Sequence, residues 1–186
     1  MRIISGLNRG RKLTQIQGRD IRPTSDRVRE ALFNIIGPAI RGQRVLDLFA
    51  GTGAFGLEAL SRGAQSALFV DAAPASCEVI KKNIELCRMT DQATIVCHDL
   101  VNHPLPTSLD SFDLIFMDPP YNKGYPEKIL EKEGFMDLLS PGATIIVEQD
   151  FKETLSPPLN GLDIYRQKKY SKTLVSFLRE SMGNPV

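Results

Sequence analysis

Strand-like and helix-like segments alternate along most of this chain, and the alternation limits the folds that it can adopt. Between residues 44 and 149 five short apolar segments read RVLDLF, SALFVD, ATIVCHD, FDLIFMD and ATIIVEQ. Helix-like segments begin at Ala54, Pro74 and Pro126, and Gly63 predicts the end of the first of them. This order predicts an α/β fold with a Rossmann-like, doubly wound and mostly parallel sheet covered by helices on both faces.

Both ends of the chain predict elements outside this alternation. Near the C-terminus the runs LDIYRQKKY and KTLVSFLRE predict an antiparallel hairpin at the sheet edge. Near the N-terminus RIISG and RGRKL predict a small β-hairpin, and RPTSDRVREALFNII predicts a helix capped by Thr24 or Ser25. The predicted buried face of that helix contains Val28, Leu32, Ile35 and Ile36, whereas Arg27 and Arg29 are predicted to lie off it. A boundary near Gly42 then divides an extension, residues 1–42, from a main domain, residues 43–182.

Charge is divided unevenly between these two parts. Residues 1–44 contain ten Arg and Lys against three Asp and Glu, a net charge of +7, while the remaining residues carry a net charge of −6. A basic arm on an acidic body fits a polyanionic partner, although a solvated charged surface would have the same composition. The abundance of arginine favours nucleic acid, because guanidinium groups bind phosphate oxygens in pairs.

Several classes of protein are disfavoured by what the sequence lacks. It contains no run of 18 apolar residues that predicts a membrane span, and its first residues do not resemble a signal peptide. Cys77, Cys87 and Cys97 have no metal-like spacing with each other or with the histidines, so no metal site is predicted. We therefore expect a cytoplasmic, monomeric protein with reduced thiols.

Acidic and glycine residues follow the predicted strands. Ligands of such sheets bind outside the carboxyl ends of the strands, which here are followed by Asp47 to Gly53, by Asp71, by Asp99 and by Asp118 to Tyr121. GTGAFG at residues 51–56 matches the glycine pattern of dinucleotide sites, and Asp71 follows at the matching distance.

Asp47 argues against a dinucleotide as the ligand of this loop. A carboxylate just before the loop would repel a pyrophosphate at the helix N-terminus, whereas the ammonium and sulfonium of S-adenosylmethionine (AdoMet) would be attracted. In this interpretation Asp71 binds the two ribose hydroxyls and Asp99 reaches the adenine amino group. The alternative is that Asp47 caps the following turn and that Asp99 is a solvated loop residue.

The stretch DPPY at residues 118–121 is a stiff exit from the fourth strand. Prolines fix the backbone, so Asp118 and the Pro119 carbonyl present two acceptors in fixed positions and Tyr121 presents an aromatic face. Such a group can hold the exocyclic amine of a flipped base for attack on a methyl group. A rigid strand exit with Tyr121 packed in the core is the alternative.

Together the segments RGRKL, RPTSDRVREALFN, VLDLFAGTGAFGLEALSRGA, FVD and FDLIFMDPPY resemble the bacterial RsmD-type methyltransferases. The resemblance implies a class I, AdoMet-dependent enzyme that methylates the N2 amine of a guanine in small-subunit (16S) ribosomal RNA, within a small-subunit particle. The implied cofactor-binding residues are Asp47, Phe49, Gly51, Gly53, Asp71, Asp99 and Asp118. The implied catalytic residues are Asp118, Pro119, Pro120 and Tyr121, and the RNA-binding residues are Arg9, Arg11, Arg22, Thr24 and Arg27. The turn KKYSKT departs from the family pattern, so no role is implied for Lys168, Lys169 and Lys172.

Three other functions share some of these features. A DNA adenine-N6 methyltransferase also uses DPPY, but an arm of about forty residues is small for reading bases in the major groove. An NAD-dependent oxidoreductase is disfavoured by Asp47. A non-catalytic ribosome-assembly protein would not need Asp47, Asp71 and DPPY together.

Overall fold

The computed structural model describes residues 1–16, 26–106, 110–156 and 158–181 of the chain. The chain divides into two compact units, Met1–Asp99 and Leu100–Val186. The division at residue 42 that the sequence suggests stays a prediction.

Among its described residues, the first unit contains three α-helices and three β-strands. Their bounds are α1 Asp26–Ile36, β1 Arg44–Leu48, α2 Ala54–Ser61, β2 Ser66–Asp71, α3 Pro74–Cys87 and β3 Ala93–Cys97. β2 pairs in parallel with both β1 and β3, so the carboxyl ends of the three strands lie at one edge. β1 and α2 are almost wholly buried, which explains why neither shows a polar face in the sequence. Gly63 ends the turn after α2 with φ +101°, as predicted.

In the part of the second unit that the structure describes, there are one α-helix and four β-strands. Their bounds are β4 Phe112–Met117, α4 Tyr125–Leu130, β5 Leu139–Asp150, β6 Leu162–Tyr170 and β7 Thr173–Glu180. β4 and β5 are parallel, whereas β7 is antiparallel to both β5 and β6. β5 begins four residues before the apolar segment that predicted it, because the turn residues Ser140 to Gly142 continue the strand.

The seven strands form one sheet in the order β3-β2-β1-β4-β5-β7-β6. In this order β1 is followed outward by β2 and β3, and β4 is followed outward by β5. The antiparallel hairpin of β6 and β7 lies at an edge of the sheet. The predicted α/β, doubly wound and mostly parallel sheet with a C-terminal edge hairpin is therefore confirmed.

The predicted N-terminal β-hairpin is present as a short antiparallel pairing around a bridge between Arg2 and Lys12. Ile3 N–H donates to Arg11 O at 3.0 Å, but the next two amides, of Ile4 and Ser5, donate to the Glu58 carboxylate at 2.7 and 3.0 Å. Gly10 N–H also donates to Ile3 O at 2.8 Å, and Leu13 N–H donates to Met1 O at 3.2 Å, so the two predicted segments are paired over a short stretch.

The buried face of α1 also differs from the predicted one. Val28, Arg29, Leu32 and Phe33 are buried, whereas Ile35 and Ile36 are only half-buried. Arg29 was predicted to lie off this face, yet it is fully buried. Its Nη2 donates to Asp26 Oδ1 at 3.0 Å and to the Arg2 carbonyl oxygen at 2.5 Å, so the charge is compensated locally. The predicted caps of this helix, Thr24 and Ser25, lie outside the described residues.

Candidate functional site

The loop between β1 and α2 turns sharply through residues with positive φ. Phe49, Gly51 and Gly53 have φ of +60°, +56° and +75°. Gly53 N–H donates to Ala50 O at 2.7 Å, and Ala50 N–H donates to Val70 O at 3.1 Å, which joins the loop to β2. This left-handed geometry explains the first two glycines of the motif.

The third glycine of the motif serves packing within the protein. A Cβ atom at Gly56 would lie 2.3 Å from Cε1 of Phe69 on β2. No side chain fits there, so helix α2 can approach the sheet only with glycine at this position. This close helix-to-strand contact is the general role of the third glycine in such motifs.

Asp47 is a buried acid at the end of β1. It is 2% exposed, and Gly56 N–H of α2 donates to its Oδ2 at 2.9 Å. Burial raises the pKa of this carboxyl to about 7, with a smaller contribution from the charge of Asp71, while the Gly56 hydrogen bond lowers it. A buried carboxyl with such a pKa can take a negative charge when a cation binds beside it.

Asp71 holds the glycine loop from the end of β2. Gly51 N–H donates to its Oδ2 at 2.8 Å, and Ala73 N–H donates to its Oδ1 at 2.9 Å. Each carboxylate oxygen has a second lone pair for a ligand hydroxyl. Asp99 is half-buried at the same edge, two residues after β3, and the preceding amide, of His98, donates to Asp71 O at 3.0 Å.

The DPPY stretch follows β4 in the second unit. Pro119 is buried and Pro120 is exposed, while Asp118 and Tyr121 are half-buried. The Tyr121 hydroxyl donates to Glu148 Oε1 at 2.9 Å. Burial, and then the charges of Glu148 and Asp118, raise the pKa of this phenol, so it stays protonated at ordinary pH. The hydroxyl is fixed in the protein, while the residue as a whole is half-buried.

Glu148 was not predicted, although it lies beside a predicted residue. It is on β5 and only 4% exposed. The sequence did carry a signal, because the fifth strand ends in an acid, as the other parallel strands do. That strand was predicted only as part of the sheet.

Asn83 and Glu58 are two further buried polar residues that sequence analysis missed. Asn83 of α3 donates from Nδ2 to Thr52 O at 2.9 Å, in the glycine loop, and to Thr14 O at 3.1 Å. Its Oδ1 accepts from Thr14 N–H at 2.7 Å. The available signal was a polar residue next to the apolar stripe of α3.

The predicted RNA-binding residues divide into two groups. Arg9, Arg11 and Arg27 are exposed in the first unit, and Arg22 and Thr24 lie outside the described residues. Among the residues that the structure describes, no group of three His, Cys, Asp or Glu side chains could hold a metal ion. Within the same ranges, no helix is long and apolar enough to cross a membrane.

A family model described as "Conserved hypothetical protein 95" matches residues 1–179, nearly the whole chain. The chain belongs to this family. A solved structure of the "Putative methyltransferase yhhF" from Escherichia coli superimposes with a TM-score of 0.81 and 31% identity, covering 97% of this chain and 98% of that chain.

Two curated relatives share the name "Ribosomal RNA small subunit methyltransferase D". The protein from Escherichia coli (strain K12) is 36% identical over 187 residues, which cover 98% of this chain and 92% of the relative. The protein from Haemophilus influenzae is 36% identical over 162 residues, which cover 86% of this chain and 84% of the relative. The identification of the chain as an RsmD-type protein with a class I methyltransferase fold is therefore confirmed.

Proposed function

We propose that this protein transfers the methyl group of AdoMet to the N2 amine of a guanine in small-subunit (16S) ribosomal RNA. Family membership supports the reaction class, the AdoMet cofactor and ribosomal RNA as substrate. The buried Asp47 carboxyl is the observation that carries the choice of AdoMet over a dinucleotide, because a pyrophosphate would be repelled there. The choice of the guanine N2 amine as the methyl acceptor is the most specific part of the proposal.

In this proposal the first unit binds the cofactor. Asp47 attracts the cationic methionine end of AdoMet, and the loop of Phe49, Gly51 and Gly53 lets the ligand approach the backbone closely. Asp71 accepts hydrogen bonds from the ribose hydroxyls through its remaining lone pairs. Asp99 accepts one from the adenine amino group.

The second unit supplies the groups for the methyl acceptor. Asp118 and the Pro119 carbonyl accept the two N–H groups of the guanine amine, Pro120 stiffens the turn, and the base stacks on Tyr121. Asp118 is also proposed to border the cofactor. The amine lone pair attacks the methyl carbon, the carbon–sulfur bond breaks, and S-adenosylhomocysteine leaves. The amine then loses one proton, to the Asp118 carboxylate or to water.

The remaining parts of the proposal concern the substrate and the setting. Residues 1–42 form a basic extension in which Arg9, Arg11, Arg22, Thr24 and Arg27 bind RNA. The substrate is ribosomal RNA within a small-subunit particle, the protein acts as a monomer, and it works in the cytoplasm, where ribosomal subunits are assembled in bacteria.

The reaction can be tested with radiolabelled AdoMet. Unmodified small-subunit ribosomal RNA, assembled small subunits and double-stranded DNA are offered in parallel, and the labelled nucleoside is identified after digestion. We expect N2-methylguanosine from one or both ribosomal samples. N6-methyladenine from the DNA would replace the proposal with a DNA methyltransferase. If AdoMet bound but no polymer were labelled, the assignment of AdoMet as cofactor would stand and the proposed RNA substrate would be wrong.

Asp118→Ala tests the proposed acceptor site. We expect kcat to fall by at least about 100-fold because the amine is no longer aligned with the methyl group, while AdoMet affinity stays close to that of the wild type. Single-turnover methylation and calorimetric AdoMet binding measure the two effects. The matched control is Asp110→Ala, which removes an exposed acid two residues before β4 begins. If Asp118→Ala instead lost AdoMet binding, Asp118 would belong to the cofactor site alone.

A further inference from the structure

Two lysines approach an aromatic side chain at the carboxyl end of β5, and a third lies in the adjoining turn between β6 and β7. Phe151 directly follows this strand, and its ring is approached by the ammonium groups of Lys169 at 4.0 Å and Lys152 at 6.0 Å from the centroid. Phe151 N–H donates to the Lys172 carbonyl oxygen at 3.0 Å. We call Phe151, Lys152, Lys169 and Lys172 the Phe151 cluster.

We propose that the Phe151 cluster binds phosphates of the RNA next to the target nucleotide. This inference rests on the proposed function and adds a contact surface in the second unit, apart from the basic N-terminal arm. The three lysines come from two separate segments, the loop after β5 and the β6–β7 hairpin, and all three are exposed.

The position of the cluster connects it to the DPPY stretch. In the antiparallel pairing of β5 with β7, Asp150 lies opposite Thr173, so the turn between β6 and β7 is at the carboxyl end of β5. The Thr173 hydroxyl oxygen lies 3.4 Å from the Tyr121 hydroxyl oxygen. Lys172 therefore adjoins a residue that contacts Tyr121. A nucleotide stacked on Tyr121 would place its neighbouring phosphates near this turn.

The electrostatics of the cluster favour an anionic partner. Two acids lie beside the cluster, Asp150 at the end of β5 and Glu153 in the loop after it. Their carboxylates accept backbone amides, of Lys152 at 2.9 Å and of Asp150 at 3.4 Å. Within the described part of the chain, none of the three lysines forms an ion pair with a carboxylate. The ring of Phe151 attracts two ammonium groups and limits their motion, which lowers the entropy lost when a phosphate binds.

Protection of an exposed sheet edge is the competing explanation for lysines on β6. It accounts for Lys168, which alternates with Lys169 along the strand and points to the other face. It does not account for the convergence of Lys152 and Lys169 on one ring, because edge protection requires charges on the edge strand alone. The convergence is what indicates a binding surface.

The test compares two double variants that remove the same charge. Lys169→Gln with Lys172→Gln alters the cluster, and Lys81→Gln with Lys82→Gln alters exposed positions of α3. Binding of unmodified small-subunit ribosomal RNA is measured over a series of salt concentrations. We expect the cluster variant to bind at least about tenfold more weakly at low salt and its log–log salt slope to be shallower by about 1.4 to 1.8, as the loss of two phosphate contacts predicts. The α3 variant should match the wild type.

Equal salt slopes for the two variants would overturn the inference. Unchanged binding of the cluster variant to both naked RNA and assembled subunits would also overturn it. Thermal unfolding and AdoMet binding of both variants should match the wild type. A failure of the proposed function itself would be detected in a separate assay, as the absence of labelled N2-methylguanosine with the wild-type protein.

Discussion

Asp47, Glu58, Asn83 and Glu148 are buried polar side chains, and each is held by hydrogen bonds to backbone or side-chain groups. Burying such groups costs free energy unless their partners are supplied by the fold. Here the partners include the N-terminal turn of α2, the N-terminal arm, the glycine loop and Tyr121. At the scale of single residues, Asn83 and Glu148 therefore position backbone and ring atoms that are proposed to meet the ligands, whereas Asp47 and Glu58 hold α2 and the N-terminal arm.

The stability of the protein should depend on the ionisation of Asp47. Burial raises the pKa of this carboxyl from 3.8 to about 7, so over that pH range the folded protein binds a proton more tightly than the unfolded chain. The free energy of unfolding therefore contains a part that is present at low pH and is lost as pH rises towards 7. Asp47→Asn should remove this pH-dependent loss of stability, so above pH 7 the variant should be more stable than the wild type. The expected gain in the free energy of unfolding is about 1.4 kcal/mol for each unit by which the pKa is raised.

Urea denaturation over a pH series measures this effect, and Asp91→Asn, at an exposed acid, is the control. The same Asp47 variant should bind AdoMet more weakly, because the cationic ligand loses its buried counter-charge. A variant with the wild-type pH dependence of stability would contradict the pKa assignment. A variant with wild-type AdoMet affinity would contradict the cofactor assignment.

At the scale of elements, the N-terminal arm is docked on two helices of the first unit. On α2, Glu58 accepts the amides of Ile4 and Ser5, and Ser61 Oγ accepts the amide of Asn8 at 3.0 Å. On α3, Asn83 holds both backbone groups of Thr14. The contact through Asn83 also reaches the glycine loop, where Thr52 Oγ1 in addition donates to Met1 Sδ at 3.3 Å, so Asn83 helps to join the arm to the proposed cofactor site.

Asn83→Ala tests this connection. We expect the free energy of unfolding to fall by about 1–3 kcal/mol because buried hydrogen bonds are lost. AdoMet affinity should also fall, because the Thr52 carbonyl loses the donor that holds the loop. Ser61→Ala is the matched control, since it also loosens the arm but makes no contact with the glycine loop. Denaturant unfolding and calorimetric AdoMet binding measure both variants, and equal AdoMet affinities would rule out a positioning role for Asn83.

At the scale of the whole molecule, positive charge is distributed over both units. The arm carries Arg9 and Arg11 in the first unit, and the Phe151 cluster lies in the second. The proposed function likewise gives cofactor binding to the first unit and acceptor binding to the second. A substrate that must contact both units fits a large RNA better than a free nucleoside.

Reversing Arg9 and Arg11 to Glu should weaken RNA binding and make it less dependent on salt, because fewer counterions are released. AdoMet affinity should not change, since both side chains are exposed in the arm. Reversing Lys81 and Lys82 to Glu changes the net charge equally and is the control. Binding isotherms at several salt concentrations provide the comparison, and an unchanged salt slope would show that the arm does not contact RNA.

The sequence alone was sufficient for the order and type of the regular elements after residue 44, because their hydrophobic patterns repeat with the periods of strands and helices. β2, for example, begins and ends at the predicted residues. The glycine motif and DPPY lie at strand ends, as predicted, because glycine, proline and acidic residues are typical of the loops that leave such strands. The family could likewise be identified from contiguous sequence motifs.

Only the tertiary structure revealed what depends on partners distant in sequence. Arg29 looks like a surface residue of α1 in the sequence, yet it is buried and donates to Asp26 and to the Arg2 carbonyl oxygen. The contact of the N-terminal arm with Glu58 is likewise not visible in the sequence. Glu148 beside Tyr121 and the lysines around Phe151 are equally invisible in a linear pattern. Local periodicity encodes which face of an element is apolar, whereas the burial of a charge is decided by side chains that meet only after folding.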